Sequence, residues 1–170
     1  AAADPTADQA DVISLFSGVY TDVSVNTWRT EWSAATLEDV QVDGNDVKKY
    51  TMLDFVGIEA TGDNSIDASN MEHITFDAWT PNATTYRIKV VDFGADNAFD
   101  GGDDTDHEIA FEMPATETWT NHKIALADFT SLASTANISQ IIFSALPSGD
   151  VTLYIDNLYF SKPEGNSVKE

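Results

Sequence analysis

Four tryptophans, Trp28, Trp32, Trp79 and Trp119, are the side chains in this sequence best suited to act at a surface. Trp28 and Trp32 stand in Asn26-Thr27-Trp28-Arg29-Thr30-Glu31-Trp32-Ser33, a polar stretch with neither strand nor helix period. Two large apolar rings in a hydrophilic loop expose area that ordinarily belongs inside, and such patches mark contact with a partner. A sugar ring suits them. One face of the sugar is mostly C–H and stacks on the electron-rich face of an indole, while its hydroxyls meet Arg29 and neighbouring polar groups. By analogy with other aromatic contacts, each stack contributes about 1 kcal/mol. The competing reading folds both rings back as lids over a core. Trp79 shares a strand face with Asp77, Thr75 and His73, opposite Ile74 and Phe76, which makes it a binding platform or a strand-end packing residue. Trp119 precedes Ile124, Leu126 and Phe129 and reads as structural.

The second group with chemical potential is acidic. Asp92, Asp96, Asp100, Asp103, Asp104 and Asp106 crowd one loop with Gly94, Gly101 and Gly102. Such a loop wraps a hard cation such as calcium or is simply solvated, and its spacing is not that of an EF-hand. His73, His107 and His122 lie far apart and lack metal-ligand spacing. There is no Gly-rich phosphate cradle, no paired-histidine motif and no Gly-x-Ser-x-Gly elbow. With 29 acidic residues, no carboxylate pair is singled out for glycoside hydrolysis. The chain reads as non-catalytic.

The elements that must position these residues are strands. Val12–Phe16 is a short apolar run, and Leu37–Val42 alternates up to a hairpin turn at Asp43-Gly44-Asn45. Val47–Ala60 follows, then the alternating His73–Trp79, a turn at Pro81-Asn82, and Tyr86–Val91. Ile109 and Phe111 alternate with Glu108, Ala110 and Glu112, and Trp119–Leu126 reads as a further strand. A short helical turn at Ala127–Leu132 precedes Ile138–Ala145, the turn Pro147–Asp150 and Val151–Phe160. Nine or ten short strands with regular turn signals predict a single-domain, all-β sandwich.

Residues 1–10 and 162–170 are polar and small, as linkers are, and bracket a module at 11–161. Ala1–Ala10 does not read as a signal peptide, so the chain reads as a mature or excised segment of a larger protein. A chain of 170 residues needs no disulfide to fold, and this one has no cysteine, which removes thiolate metal sites and a cysteine nucleophile. Net charge is −21, from 29 Asp plus Glu against 8 Lys plus Arg. Such a surface repels nucleic acid, anionic lipid and sulfated or uronate-rich polysaccharide, leaving neutral ligands and divalent cations. No apolar run approaches the length of a membrane span.

Several stretches resemble a known family. Leu153-Tyr154-Ile155-Asp156-Asn157-Leu158-Tyr159-Phe160 resembles the closing strand of extracellular carbohydrate-binding modules with a β-jelly-roll fold, and Trp119 with Ile124–Phe129 resembles their penultimate region. Four further stretches resemble modules found with laminarin-degrading enzymes and surface glycan-binding proteins of marine Bacteroidetes. They are Asp11–Ser17, Asn26–Thr30, Lys48–Tyr50 with Phe55–Glu59, and Val91–Asp96, so the likeness covers roughly residues 11–161. The resemblance implies a jelly-roll topology and a non-catalytic, extracellular or cell-surface module. It would act as a monomer that binds neutral β-1,3-glucan of the laminarin type and targets a parent protein to it. It also implies one structural calcium near the first and last strands, held by Asp156 through its carboxylate and by Ser17 and Lys48 through backbone oxygens. The family often has an acid after the serine, where this chain has Gly18. The expected site is therefore Trp28, Arg29, Trp32 and Trp79 for saccharide and Ser17, Lys48 and Asp156 for calcium. The alternative is a spacer or protein-interaction sandwich with its indoles packed inside.

Overall fold

The computed structural model describes residues 1–164 and contains nine strands. They are β1 (Val12–Phe16), β2 (Ala34–Val42), β3 (Asn45–Glu59), β4 (His73–Trp79), β5 (Thr85–Asp92), β6 (Thr105–Glu112), β7 (Thr120–Ala125), β8 (Ile138–Leu146) and β9 (Val151–Ser161). Short 3-10 turns occur at Gln9–Asp11, Gly62–Asn64 and Leu126–Asp128, the last overlapping the helical turn expected from the sequence. Among the described residues no helix is long and apolar enough to cross a membrane. The β2–β3 hairpin closes at Asp43 and Gly44, both with positive φ, as a two-residue turn requires.

The strands form one antiparallel ladder, β6-β5-β8-β3-β9-β4-β7, with β1 added on β9 and β2 on β3. That ladder curls into two layers because β3 serves both. Phe55–Glu59 pair with β8, whereas Lys48–Leu53 pair with β9, with a register shift between Tyr50 and Leu53. Met52 takes a positive φ there, the local cost of bending one strand from the first layer into the second. The first layer is β6-β5-β8 with the end of β3. The second is β2, the start of β3, β9, β4 and β7, with β1. This is the all-β jelly-roll sandwich.

Alternation decides which residues meet between the layers. Ile74, Phe76 and Ala78 of β4 point inward and are buried, as are Tyr86, Ile88 and Val90 of β5 and Ile141, Phe143 and Ala145 of β8. Phe76 sits at the centre of this core, edge to face with Phe143 at 5.2 Å and with Phe111 at 5.9 Å, which joins the layers. Across the same gap the Tyr86 hydroxyl shares a 2.6 Å hydrogen bond with His122 Nε2. The stretch 1–10, expected to be a linker, lies against the second layer, with Ala2 buried and the Ala7 carbonyl accepting from the Tyr20 hydroxyl at 2.8 Å. Of the expected linker at 162–170, residues 165–170 lie outside the described residues.

Burial pushes the His122 imidazole down to about 4. The folded state therefore resists a proton that the unfolded chain accepts near 6.5, and stability is lost as pH falls from about 6.5 toward 4. For a ring with part of its surface in solvent, screening reduces the effect to about 1–2 kcal/mol. Burial raises the carboxyls of Asp77 and Asp156, which acts in the opposite sense over the acid end of this range. Thermal melts of wild type and His122→Gln between pH 7 and 4 should show a shallower acid loss in the variant.

Candidate functional site

The first layer's outer face is built by register. Phe55, Ser144, Arg87 and Ala110 lie side by side on β3, β8, β5 and β6, and Gly57, Ile142, Lys89 and Glu108 form the next row. Glu59 and Gln140 begin a third row, joined by a 2.7 Å hydrogen bond from Gln140 Nε2 to Glu59 Oε2. Four strands make each row roughly 14 Å long, enough for a short oligosaccharide. Arg87 reaches Ser144 Oγ at 3.3 Å, and among the described residues neither Arg87 nor Lys89 forms an ion pair. These are hydrogen-bonding groups for hydroxyls.

Trp32 stands at the end of these rows. It is 45% exposed, and its ring lies nearly parallel to Phe55, with an interplanar angle of 22° and centroids 6.2 Å apart. The indole fits because position 57 has no side chain: a Cβ there would lie 2.2 Å from Trp32 Cη2 and 2.8 Å from Thr30 Oγ1. The loop beneath is tied down. Thr30 Oγ1 and Ser33 Oγ are 2.7 Å apart, and Ser33 Oγ accepts from Gly57 N at 2.9 Å. Arg29 donates Nε to the Ala35 carbonyl at 2.6 Å and its two terminal nitrogens to the Thr30 and Ser33 carbonyls at 3.3 Å each. It thus holds the loop that carries Trp32.

The remaining expected saccharide residues are not gathered here. Trp28 is half-buried, edge to face with Phe16 at 5.7 Å, and Lys48 Nζ lies 4.9 Å from both rings. This ring follows the lid reading. Trp79 faces outward, with Asp77 and Thr75 as its parity requires, but on the second layer, on the opposite side of the molecule. There its ring meets Tyr154 at 5.3 Å and 88°. Phe55, Gly57 and Tyr154 were missed from the sequence. A glycine inside a strand is a signal of close approach, and Tyr154 has the parity opposite to Leu153 and Ile155.

The expected calcium residues do converge. Asp156, 1% exposed, accepts from Asn45 Nδ2 at 2.7 Å and from Asn157 N at 2.7 Å, without a cationic partner among the described residues. Asp77, 5% exposed, is its neighbour in register and is held by Asn121 and Asn157 amides at 2.8 Å each. Burial, foremost, pushes the Asp156 carboxyl up, and Asp77 and Asp4 add to that. Ser17 is buried, its hydroxyl donating to Asn157 Oδ1 at 2.7 Å, and Lys48 pairs with Ile155, next to Asp156. At Gly18 a Cβ would stand 3.2 Å from Asn45 Oδ1, so the position where the family often has an acid faces this cluster. Two buried carboxylates, held by N–H donors and without a cation among the described residues, leave negative charge that a hard divalent ion would offset.

In the acidic loop Asp96, Asp103 and Asp104 place carboxylate oxygens within 4.8 Å of one another. Asp92 is fully buried and structural, accepting from Gly94 N at 2.7 Å and Asn137 N at 2.9 Å.

No protein-family model matches the sequence, and no curated protein does. Solved structures share the fold of non-catalytic carbohydrate-binding modules. The family 30 carbohydrate-binding module of the cellulosomal cellulase Cel9D-Cel44B of Clostridium thermocellum superposes with a TM-score of 0.66 at 14% identity, covering 91% of this chain and 99% of that one. The family 11 module of the cellulosomal cellulase Lic26A-Cel5E of the same organism gives 0.65 at 14%, covering 92% and 98%. A family 11 module from Clostridium thermocellum, solved with a β-1,3-1,4-mixed-linked tetrasaccharide, gives 0.60 at 16%, covering 89% and 96%. At such identities the likeness is one of fold.

The seat of Trp32 can be tested by itself. Gly57→Ala should destabilise by about 1–3 kcal/mol through overpacking. In a Trp32→Ala background, denaturant titration should show a clearly smaller cost, because the clash with the indole is gone and only the 2.8 Å approach to Thr30 Oγ1 remains.

Proposed function

We propose that this chain is a non-catalytic, monomeric module that binds neutral β-glucan of the laminarin type and carries a larger extracellular or cell-surface protein to the polysaccharide. The observation that carries this reading is Trp32. It is a half-exposed indole, fixed on Gly57 and Phe55, at the head of strand rows that offer Arg87, Lys89 and Ser144 to hydroxyls. A sugar stacked on the ring would run along those rows. Support for the ligand class comes from the fold shared with carbohydrate-binding modules, one of them solved with a mixed-linked glucan tetrasaccharide. The laminarin preference rests on the resemblance of the sequence. A net charge of −21 favours an uncharged polymer over an anionic one.

Shallow stacking gives micromolar to millimolar affinity. In calorimetry or affinity electrophoresis with laminarin, Trp32→Ala should weaken binding about five- to thirtyfold, the loss of about 1–2 kcal/mol. Trp28→Ala should lower the melting temperature and leave affinity within about twofold. Raising salt to 0.5 M should change wild-type affinity little. Wild type that ignores every neutral β-glucan in a glycan panel would leave the spacer reading instead.

We further propose a structural calcium ion held by Asp156, with Ser17 and Lys48 supplying backbone oxygens and Asn45 its amide oxygen after a side-chain flip. The ion would supply the positive charge that Asp156 and Asp77 lack, and would tie the start of the chain to the last strand. Chelator should lower the melting temperature, added calcium should restore it, and laminarin binding should persist in both. An unchanged melt would remove the ion from the reading.

A further inference from the structure

The second layer presents another aromatic surface. Trp79, Trp119 and Tyr154, with Val42 and Ala1 beside them, line an open depression of about 340 Å³. Trp119 also borders an adjoining hollow of about 370 Å³ that contains Asp77, Asn121 and Lys123. The three rings are all partly exposed, and among the described residues no carboxylate lines the first depression, in a chain that has 29 acidic residues. The perpendicular pairing of Trp79 and Tyr154 offers a ring face and a ring edge within 5.3 Å. Hydrogen-bonding groups lie nearby: Asn121 and Lys123, on the strand that follows Trp119, border the adjoining hollow.

We propose that this depression is a second saccharide site, so that the module binds two neutral glycan chains, one on each face. The inference rests on the glucan-binding reading above. Charge selects the occupant: the one charge at the rim, the Ala1 ammonium, is already paired with Asp43 at 3.0 Å, so an uncharged ring enters without a carboxylate to desolvate among the described lining residues, and its C–H face matches the indoles. The two sites are separate because β4 directs Phe76 and Ala78 into the core while Trp79 faces out, and β3 directs Val56 and Ile58 inward beneath Phe55 and Gly57. Roughly 10 Å of packed side chains therefore lies between them, so one short oligosaccharide cannot touch both. Two sites on opposite faces of one rigid domain cross-link polysaccharide, and a single chain gains avidity only by wrapping round the edge.

The decisive measurement is calorimetric stoichiometry with a β-1,3-linked glucose hexasaccharide. Wild type should bind two per chain. Trp119→Ala and Tyr154→Ala should each reduce this to one and leave the remaining affinity within twofold, and Trp32→Ala should weaken the other site about five- to thirtyfold and leave this one unchanged. Light scattering with long laminarin should show cross-linking by wild type and at least a tenfold loss in each variant, with melting curves reporting their folding. Wild-type stoichiometry of one, weakened at least fivefold by Trp32→Ala, overturns the second site and leaves the proposed function standing. A stoichiometry of two that Trp119→Ala and Tyr154→Ala leave unchanged in folded protein overturns it as well. No binding by wild type overturns both.

Discussion

The packing of Phe76 against Phe143 and Phe111 is the contact on which the rest of the molecule depends. These rings belong to three strands in two layers, and closing the gap between them buries the apolar parity of every strand they touch. Once that parity is fixed inward, the opposite parity has nowhere to go but out. Trp79, Asp77 and Thr75 on β4, Tyr154 on β9, and Phe55 and Gly57 on β3 owe their positions to the neighbours one residue away. The outer surfaces are thus a consequence of core packing, and a one-residue slip in β4 would exchange Phe76 for Asp77 in the interior. The site inherits its rigidity from that penalty.

Trp32 is the exception to positioning by strand parity, because it comes from a loop. What replaces the ladder is a set of short-range ties, from Arg29 to three carbonyls and from Thr30 to Ser33 and on to Gly57 N. All but the hydroxyl contact of Thr30 with Ser33 satisfy a backbone group that would otherwise need water, so the loop is ordered without regular structure. Gly57 completes the arrangement by letting the indole approach the strand backbone.

Most of the strand order was legible in the sequence, because period-two alternation is strong in His73–Trp79, Tyr86–Val91 and Ile109–Glu112, and the turns carry Asp-Gly, Pro-Asn and Pro-Ser-Gly signals. The side of Trp79 was legible for the same reason. What the pattern does not contain is which layer a strand joins. Trp32 and Trp79 look alike as exposed indoles, yet the bend of β3 at Met52 and the crossing order of the strands set them on opposite faces. Trp28 and Trp32 look alike too, four residues apart in one polar loop. Phe16 and Lys48 claim the first and Phe55 the second, contacts between distant segments that no local spacing encodes.

The charge pattern ties these surfaces together. Eight cations stand against 29 acids, and six of the eight lie beside aromatic groups or the rows they head. Arg29 braces the Trp32 loop, Lys48 covers Trp28 and Phe16, and Lys49 lies 5.6 Å from the Tyr154 ring. Arg87 and Lys89 stand on the rows beyond Phe55, and Lys123 borders the hollow beside Trp119. A ring face is electron-rich, so a nearby cation is stabilised there while a carboxylate is not. Acids share these places: Asp39 pairs with Lys48 at 2.8 Å, Glu38 lies 3.9 Å from Lys49, and Glu108 stands beside Lys89 in register. Pairing of this kind brings the charge beside the rings close to balance, the condition under which an uncharged saccharide would displace water from a ring face without desolvating a lone ion.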